Sequence, residues 1–180
     1  MVAAQWRELS RDRRKRSNSR MPRSAQKAKI VLLVGLPGSG KSTYVKKLGA
    51  TLSSDEIRRL LADDPNDQTI HSRVFGVLRI LLRQRIELRR PVTYIDATNL
   101  TRRERKPYLK IAKAHDCEIE AIFFNVLLEV CQRRNRTRDR IVAEEVMEKM
   151  AKRLQPPTVE EGFDRVTVLN STSGRATVPN

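Results

Sequence analysis

Two cysteines in 180 residues, Cys117 and Cys131, are too few for a disulfide framework or a four-cysteine zinc site. That scarcity points to a reducing compartment, and both thiols are expected to be buried or inert. No apolar stretch approaches the roughly 20 residues that span a bilayer, and no signal-type apolar segment follows the N-terminus. A membrane-spanning or secreted chain is therefore not expected, and a cytoplasmic one is. His71 and His115 lack partners at metal-ligand spacing and read as structural. Aromatic residues make up only 4% of the chain, so stacking platforms for nucleic acid are scarce. No internal repeat is present. Acids are also short: 21 Asp and Glu stand against 37 Lys and Arg, a formal net charge of +16. That surplus says nothing about fold but implies polyanionic company, either nucleic acid or phosphorylated ligands.

The surplus is unevenly spread. The first 29 residues hold ten Lys or Arg and two acids, with Trp6 and Leu9 as their main apolar content. Residues 1–28 therefore read as a disordered basic tail, most basic at Arg11 to Arg16. A solvated arm, a start at Met21 and an arm that grips nucleic acid all fit this composition. A transit peptide fits less well, because Trp6 and Leu9 make only a stub of an apolar face. The last ten residues, 171–180, read as a second flexible tail.

From Lys29 to Asn170 the character is that of one folded domain. Ile30 to Val34 is a short, continuous apolar run ended by glycine, as a buried parallel strand should be. A helix is expected over about 41–49, a weak strand at Thr51 to Ser53, and a helix opened by a capping box between Ser53 and Glu56. A long helix from about Thr69 to Arg89 precedes a strand from Val92 to Ile95 that ends at Asp96. A second capping box, Thr101 with Glu104, opens a helix to about Ala114. Then come a strand over Ile119 to Val126, a very basic helix near 128–140, another helix near 142–154 and a last strand from Val166 to Leu169. Strands alternating with helices predict an α/β fold whose parallel sheet carries helices on both faces, with ligands at the carboxyl ends of the strands.

Gly35-Leu36-Pro37-Gly38-Ser39-Gly40-Lys41-Ser42 matches G-x-x-x-x-G-K-[ST], between an apolar strand and a helix. Glycines let successive backbone N–H groups turn toward an anion, and the helix N-terminus adds partial positive charge. Gly35, Pro37, Gly38, Ser39, Gly40, Lys41, Ser42 and Thr43 are thus the expected cradle of a nucleoside triphosphate. Lys41 is expected on the β- and γ-phosphates, and the Ser42 hydroxyl on Mg²⁺. No Asn-Lys-x-Asp motif of a GTPase and no transporter-ATPase signature occur, and 180 residues leave no room for a motor's extra lobes. The size suits a small kinase.

A kinase needs a base for the acceptor hydroxyl, a clamp on the acceptor and cations over the moving phosphoryl group. Asp55 is the base candidate, following a short strand at a helix N-terminus; an ordinary first-turn helix acid is the alternative. Arg58, three residues on, shares its helix face and is placed to hold an anionic part of the acceptor, unless the two form only a surface ion pair. Asp96, at its strand end, is a candidate for Mg²⁺ or for the P-loop hydroxyl, with Thr98 and Asn99 following. Arg133, Arg134, Arg136, Arg138 and Arg140 have Asp139 as the only acid among them and suggest a lid over the donor phosphates. Arg79, Arg83, Arg85, Arg89 and Arg90 read better as a solvated face than as a phosphate-tracking stripe.

Five ordered segments resemble the polynucleotide 5′-kinase family: Gly35 to Thr43, Ser53 to Arg58, Asp64 to Thr69, Asp96 to Asn99 and Cys131 to Arg138. The nearest likeness is to the kinase module of bacterial RNA end-healing and ligation enzymes, and more distantly to the phage polynucleotide kinase. It spans about residues 28–170. The resemblance implies an adenylate-kinase-like P-loop NTPase fold with an Arg-rich lid. It also implies ATP- and Mg²⁺-dependent phosphorylation of a 5′-hydroxyl end of RNA or DNA, with nucleic-acid ends as partners. On it Asp55 is the general base, Arg58 holds the acceptor's 3′-phosphate, and Lys41 and Ser42 act on the donor phosphates and Mg²⁺. Arg134 and Arg138 match the lid arginines. The phosphatase and ligase modules that accompany such kinases have no counterpart in these 180 residues. A kinase of a small hydroxylated metabolite or nucleoside, and a nucleic-acid-binding ATPase without transfer activity, remain as alternatives.

Overall fold

The computed structural model describes residues 27–64, 67, 69–138 and 141–170. Almost all of the basic N-terminal tail, the C-terminal ten residues and Arg140 lie outside them. Five strands form one parallel sheet: β1 (Lys29–Val34), β2 (Thr51–Ser53), β3 (Val92–Asp96), β4 (Glu118–Asn125) and β5 (Arg165–Asn170). Their spatial order is β2-β3-β1-β4-β5. Among the described residues six helices accompany them: α1 (Lys41–Lys46), α2 (Ser54–Ala62), α3 (His71–Glu87), α4 (Arg102–Ala114), α5 (Leu128–Asn135) and α6 (Glu144–Arg153), with a short 3-10 turn at Val159–Glu161.

Central position explains why β1 is apolar without alternation: it is paired on both edges and covered on both faces. Ile30, Leu32 and Val34 face Val74, Leu78 and Leu82 of α3 and Tyr108 and Ile111 of α4. Val31 and Leu33 face the other way, with Val45 of α1 and with Ile122 and Phe124 of β4. A third cluster, Leu36, Leu100, Cys131 and Met147, ties the loop after β1 to α5 and α6. The chain passes from β1 to one side of the sheet and later returns to the other, so a crevice opens at the carboxyl end of β1.

The structure shifts two expected boundaries. α1 ends at Lys46 rather than 49, because Gly49 (φ 66°) and Ala50 (φ 54°) already carry a left-handed turn into β2. The basic helix stops at Asn135, five residues short of the expected end. Buried Asn135 donates from Nδ2 to the Val142 carbonyl at 2.7 Å and accepts from the Val142 N–H at 3.1 Å, turning the chain out of the helix. Both expected caps form, the one at Thr101 and Glu104 as a reciprocal box and the one at Ser53 as a single bond from the Glu56 N–H.

Candidate active site

The loop after β1 is held by the segment after β3 and by α5. The Gly35 N–H donates to the Thr98 carbonyl at 3.0 Å, fastening the loop to the segment after β3. Asn99, buried and with φ 48°, donates from Nδ2 to the Leu33 carbonyl at 2.8 Å. Gly38 (φ 79°) lies against α5 so closely that a Cβ there would stand 2.4 Å from the Cys131 carbonyl oxygen. Only glycine fits that position, which is the physical reason for one motif residue.

Pro37 to Thr43 line a cleft of about 930 Å³, together with Asp55, Arg58, Asp96, Thr98, Arg134 and Arg138. Lys41, buried at the start of α1, donates from Nζ to the carbonyls of Gly35 (2.9 Å) and Leu36 (2.7 Å). Burial pushes its pKa down to about 8, Arg138 adds to the fall, and Asp96 and Asp55 oppose it. Burial raises the Asp96 carboxyl above its ordinary value, and the neighbouring Ser42 hydroxyl and the Lys41 charge oppose that rise. A hydroxyl and a carboxylate on one edge of a phosphate cradle are the oxygen donors that suit Mg²⁺, which takes few protein ligands and fills its shell from substrate and water. Among the described residues no group of three His, Cys, Asp or Glu converges as an all-protein metal site.

Parallel pairing of Ser53 with Asp96 brings the start of α2 beside the end of β3, and the Ser54 hydroxyl donates to the Asp96 carbonyl at 3.4 Å. Asp55 therefore opens into the cleft next to Asp96. Arg58 donates from Nη1 to Asp55 Oδ1 at 3.2 Å and is 3% exposed, so the pair is not the surface contact that spacing alone would allow. Arg138 reaches the other carboxylate oxygen of Asp55 at 4.0 Å. Of the arginine cluster, Arg134 and Arg138 line the cleft, whereas Arg136 turns away to Glu144 at 2.8 Å. In the helical stripe, Arg85 folds back onto Thr93 and the Val92 carbonyl.

Three groups escaped the sequence reading. His71 is not simply structural: it lines the same cleft as Asp55, within the electrostatic reach of Arg58, its ring 4.7 Å from Phe75. Tyr44 and Phe124 line the cleft too, in an edge-on pair 5.6 Å apart. Behind the site, fully buried Arg105 forms a two-bond ion pair with Glu161 and donates to the carbonyls of Asn99, Leu100 and Gln155. It thereby braces the segment that holds Leu33 and Gly35. Arg105→Met, which leaves the buried Glu161 carboxylate with only Arg102 at 3.7 Å and the Thr158 N–H, should destabilise the fold by about 3–5 kcal/mol, a fall in Tm of roughly 6–20 °C. Adding Glu161→Leu should recover much of that loss in thermal melts. A single variant that melts like the wild type would deny the pair its bracing role.

An AAA domain family model matches residues 30–157, and these include the whole cradle, both cleft acids and the cleft arginines. The chain belongs to this AAA-domain family. Solved structures that share the P-loop kinase fold include the Pnkp1/Rnl/Hen1 RNA repair complex, with a TM-score of 0.62 and 22% identity over 79% of this chain and 48% of that one. This chain thus spans about half the length of that RNA-repair protein. The fold also matches the Mycobacterium tuberculosis APS kinase CysC in complex with AMPPNP and APS, with a TM-score of 0.55, 17% identity and 82% and 91% coverage. A gluconokinase from Sinorhizobium meliloti 1021 has a TM-score of 0.55, 16% identity and 83% and 85% coverage. Among the described residues no helix is long and apolar enough to cross a membrane.

Proposed function

We propose that this chain is an ATP- and Mg²⁺-dependent kinase of 5′-hydroxyl polynucleotide ends. The observation that carries the reading is the buried Arg58 fixed to Asp55 beside the phosphate cradle. A carboxylate that takes a hydroxyl proton does not need a guanidinium three residues away. An acceptor with its own phosphate near the reacting hydroxyl does, because a desolvated anion requires a charge-matched, forked donor. A polynucleotide end has that phosphate one sugar away.

In this reading Asp55 accepts the proton of the attacking hydroxyl while Arg58 holds the acceptor phosphate. Lys41 and the backbone N–H groups after Gly35 hold the donor phosphates in line with that hydroxyl. Arg138, in reach of Asp55, and Arg134 supply positive charge over the transferring group. Ser42 and Asp96 would hold Mg²⁺, which supplies charge neutralisation at the phosphates.

The deciding assay offers γ-labelled ATP with short 5′-hydroxyl RNA and DNA, single- and double-stranded, and with nucleoside 3′-monophosphates. Label on an oligonucleotide 5′ end is the expected result. Label only on a small phosphorylated acceptor would move the assignment to a metabolite kinase, and ATP hydrolysis without transfer would leave a nucleic-acid-binding ATPase. Arg58→Ala should raise KM for 3′-phosphorylated acceptors by roughly 10–100-fold, the weight of a charged hydrogen bond. It should change KM for acceptors without that phosphate far less. Equal losses with both would make Arg58 structural.

A further inference from the structure

Sheet order divides the cleft. Asp55 and Arg58 follow β2 at one edge of the sheet, whereas Phe124 and Asn170 stand at the β4–β5 edge, with the cradle after β1 between them. On the Asp55 side the cleft wall carries an aromatic pair one helical turn apart, His71 and Phe75 at the start of α3. Their rings lie 4.7 Å apart, tilted by 42°. Phe75 is anchored against the main core, while His71 is exposed to the cleft. In a chain with 4% aromatics, whose Tyr108, Phe123 and Phe163 are buried in the core, two tilted rings lining the cleft of the candidate base are unexpected on packing grounds. A surface helix start has no packing need for an exposed ring there.

We propose that His71 and Phe75 form a stacking wall for the nucleobase of the acceptor's terminal nucleotide, so that the cleft selects acceptors with a planar ring beside the reacting hydroxyl. The inference rests on Asp55 and Arg58 marking the acceptor side. One nucleotide then has two attachments, its phosphate on Arg58 and its base on the ring pair. Partial burial first, then the charges of Arg58 and Arg153 against that of Glu104, lower the His71 pKa and so disfavour an imidazolium on the wall. Stacking on a ring tolerates any base, since each has a π-face, and the wall selects for a base rather than for its identity.

The test uses the full chain and two readouts. The first is fluorescence of 2-aminopurine riboside 3′-phosphate, which carries the 5′-hydroxyl, the phosphate and a base whose emission is quenched by stacking. The wild type should quench it, His71→Ala should not, and His71→Phe should restore the quench. The second compares a 5′-hydroxyl dinucleotide with its analogue lacking the terminal base. The wild type should show about a tenfold lower KM for the dinucleotide at similar kcat, and His71→Ala should erase the difference while leaving KM for ATP unchanged. Quenching without any transfer would uphold the wall and refute the 5′-kinase reading. Absence of quenching overturns the wall whatever the transfer assay gives, and so does an equal KM for the two acceptors in the wild type.

Discussion

Asp55→Asn should lower phosphoryl transfer by roughly 10²–10⁴-fold, the range a positioned general base contributes, while ATP affinity stays within about twofold. The replacement keeps the size of the side chain and one acceptor oxygen for the two arginines, and removes the negative charge together with the ability to take a proton. Asparagine also leaves the first turn of α2 intact, since the Ser53 cap on the Glu56 N–H does not involve residue 55. The loss should therefore appear in kcat, measured under single-turnover conditions with saturating ATP. Binding of a fluorescent ATP analogue supplies the control. Transfer that persists within tenfold of the wild type would remove Asp55 as the base and reduce it to a partner for two arginines. A parallel loss of ATP affinity would assign it to the donor side instead, through its electrostatic pull on Lys41.

What was legible beforehand depended on how local its physical cause is. The strand β1 and the cradle after it were readable because their signals are consecutive in sequence: an unbroken apolar run for a covered strand, then glycines where φ is 79° and 99°. The Asp55–Arg58 pair was readable as a spacing of three on one helix, but its burial was not, since β2 and α3 from outside the segment enclose it. The end of α5 was misplaced because Asn135 bonds to a residue seven positions on, and composition continues basic past it. Arg105 and Glu161 are 56 residues apart and carry no spacing signal, so their pairing is visible only once α4 and the 3-10 turn are packed. His71 fell between these cases: a lone histidine in sequence, it gains meaning from Phe75 one turn on and from the nearby charge of Arg58.

Donor binding should take up a proton at alkaline pH, and the group responsible should be Lys41. Its ammonium sits buried among carbonyls, and that burial, with the charge of Arg138, pushes its pKa down to about 8 from an ordinary 10.5. A triphosphate in the cradle supplies the counter-charge that burial removed, so the ligand favours the protonated lysine and raises its pKa. Below pH 8 the lysine is already charged and affinity is flat. Above it each bound triphosphate must bring a proton, and affinity falls by up to about tenfold per pH unit until the raised pKa is passed. Stability of the ligand-free protein runs the opposite way. Between about 8 and 10.5 the unfolded chain binds the more protons at this site, so the Lys41 contribution to stability rises with pH. Calorimetry at pH 8 in two buffers of different ionisation enthalpy should report an uptake of about half a proton, as expected of a group at its midpoint. Lys41→Met should abolish that uptake and lower transfer by roughly 10²–10³-fold, the loss that follows removal of one preorganised donor from developing charge. No uptake in the wild type would mean that Lys41 is fully charged in the empty cleft, held there by Asp96 and Asp55 against its burial.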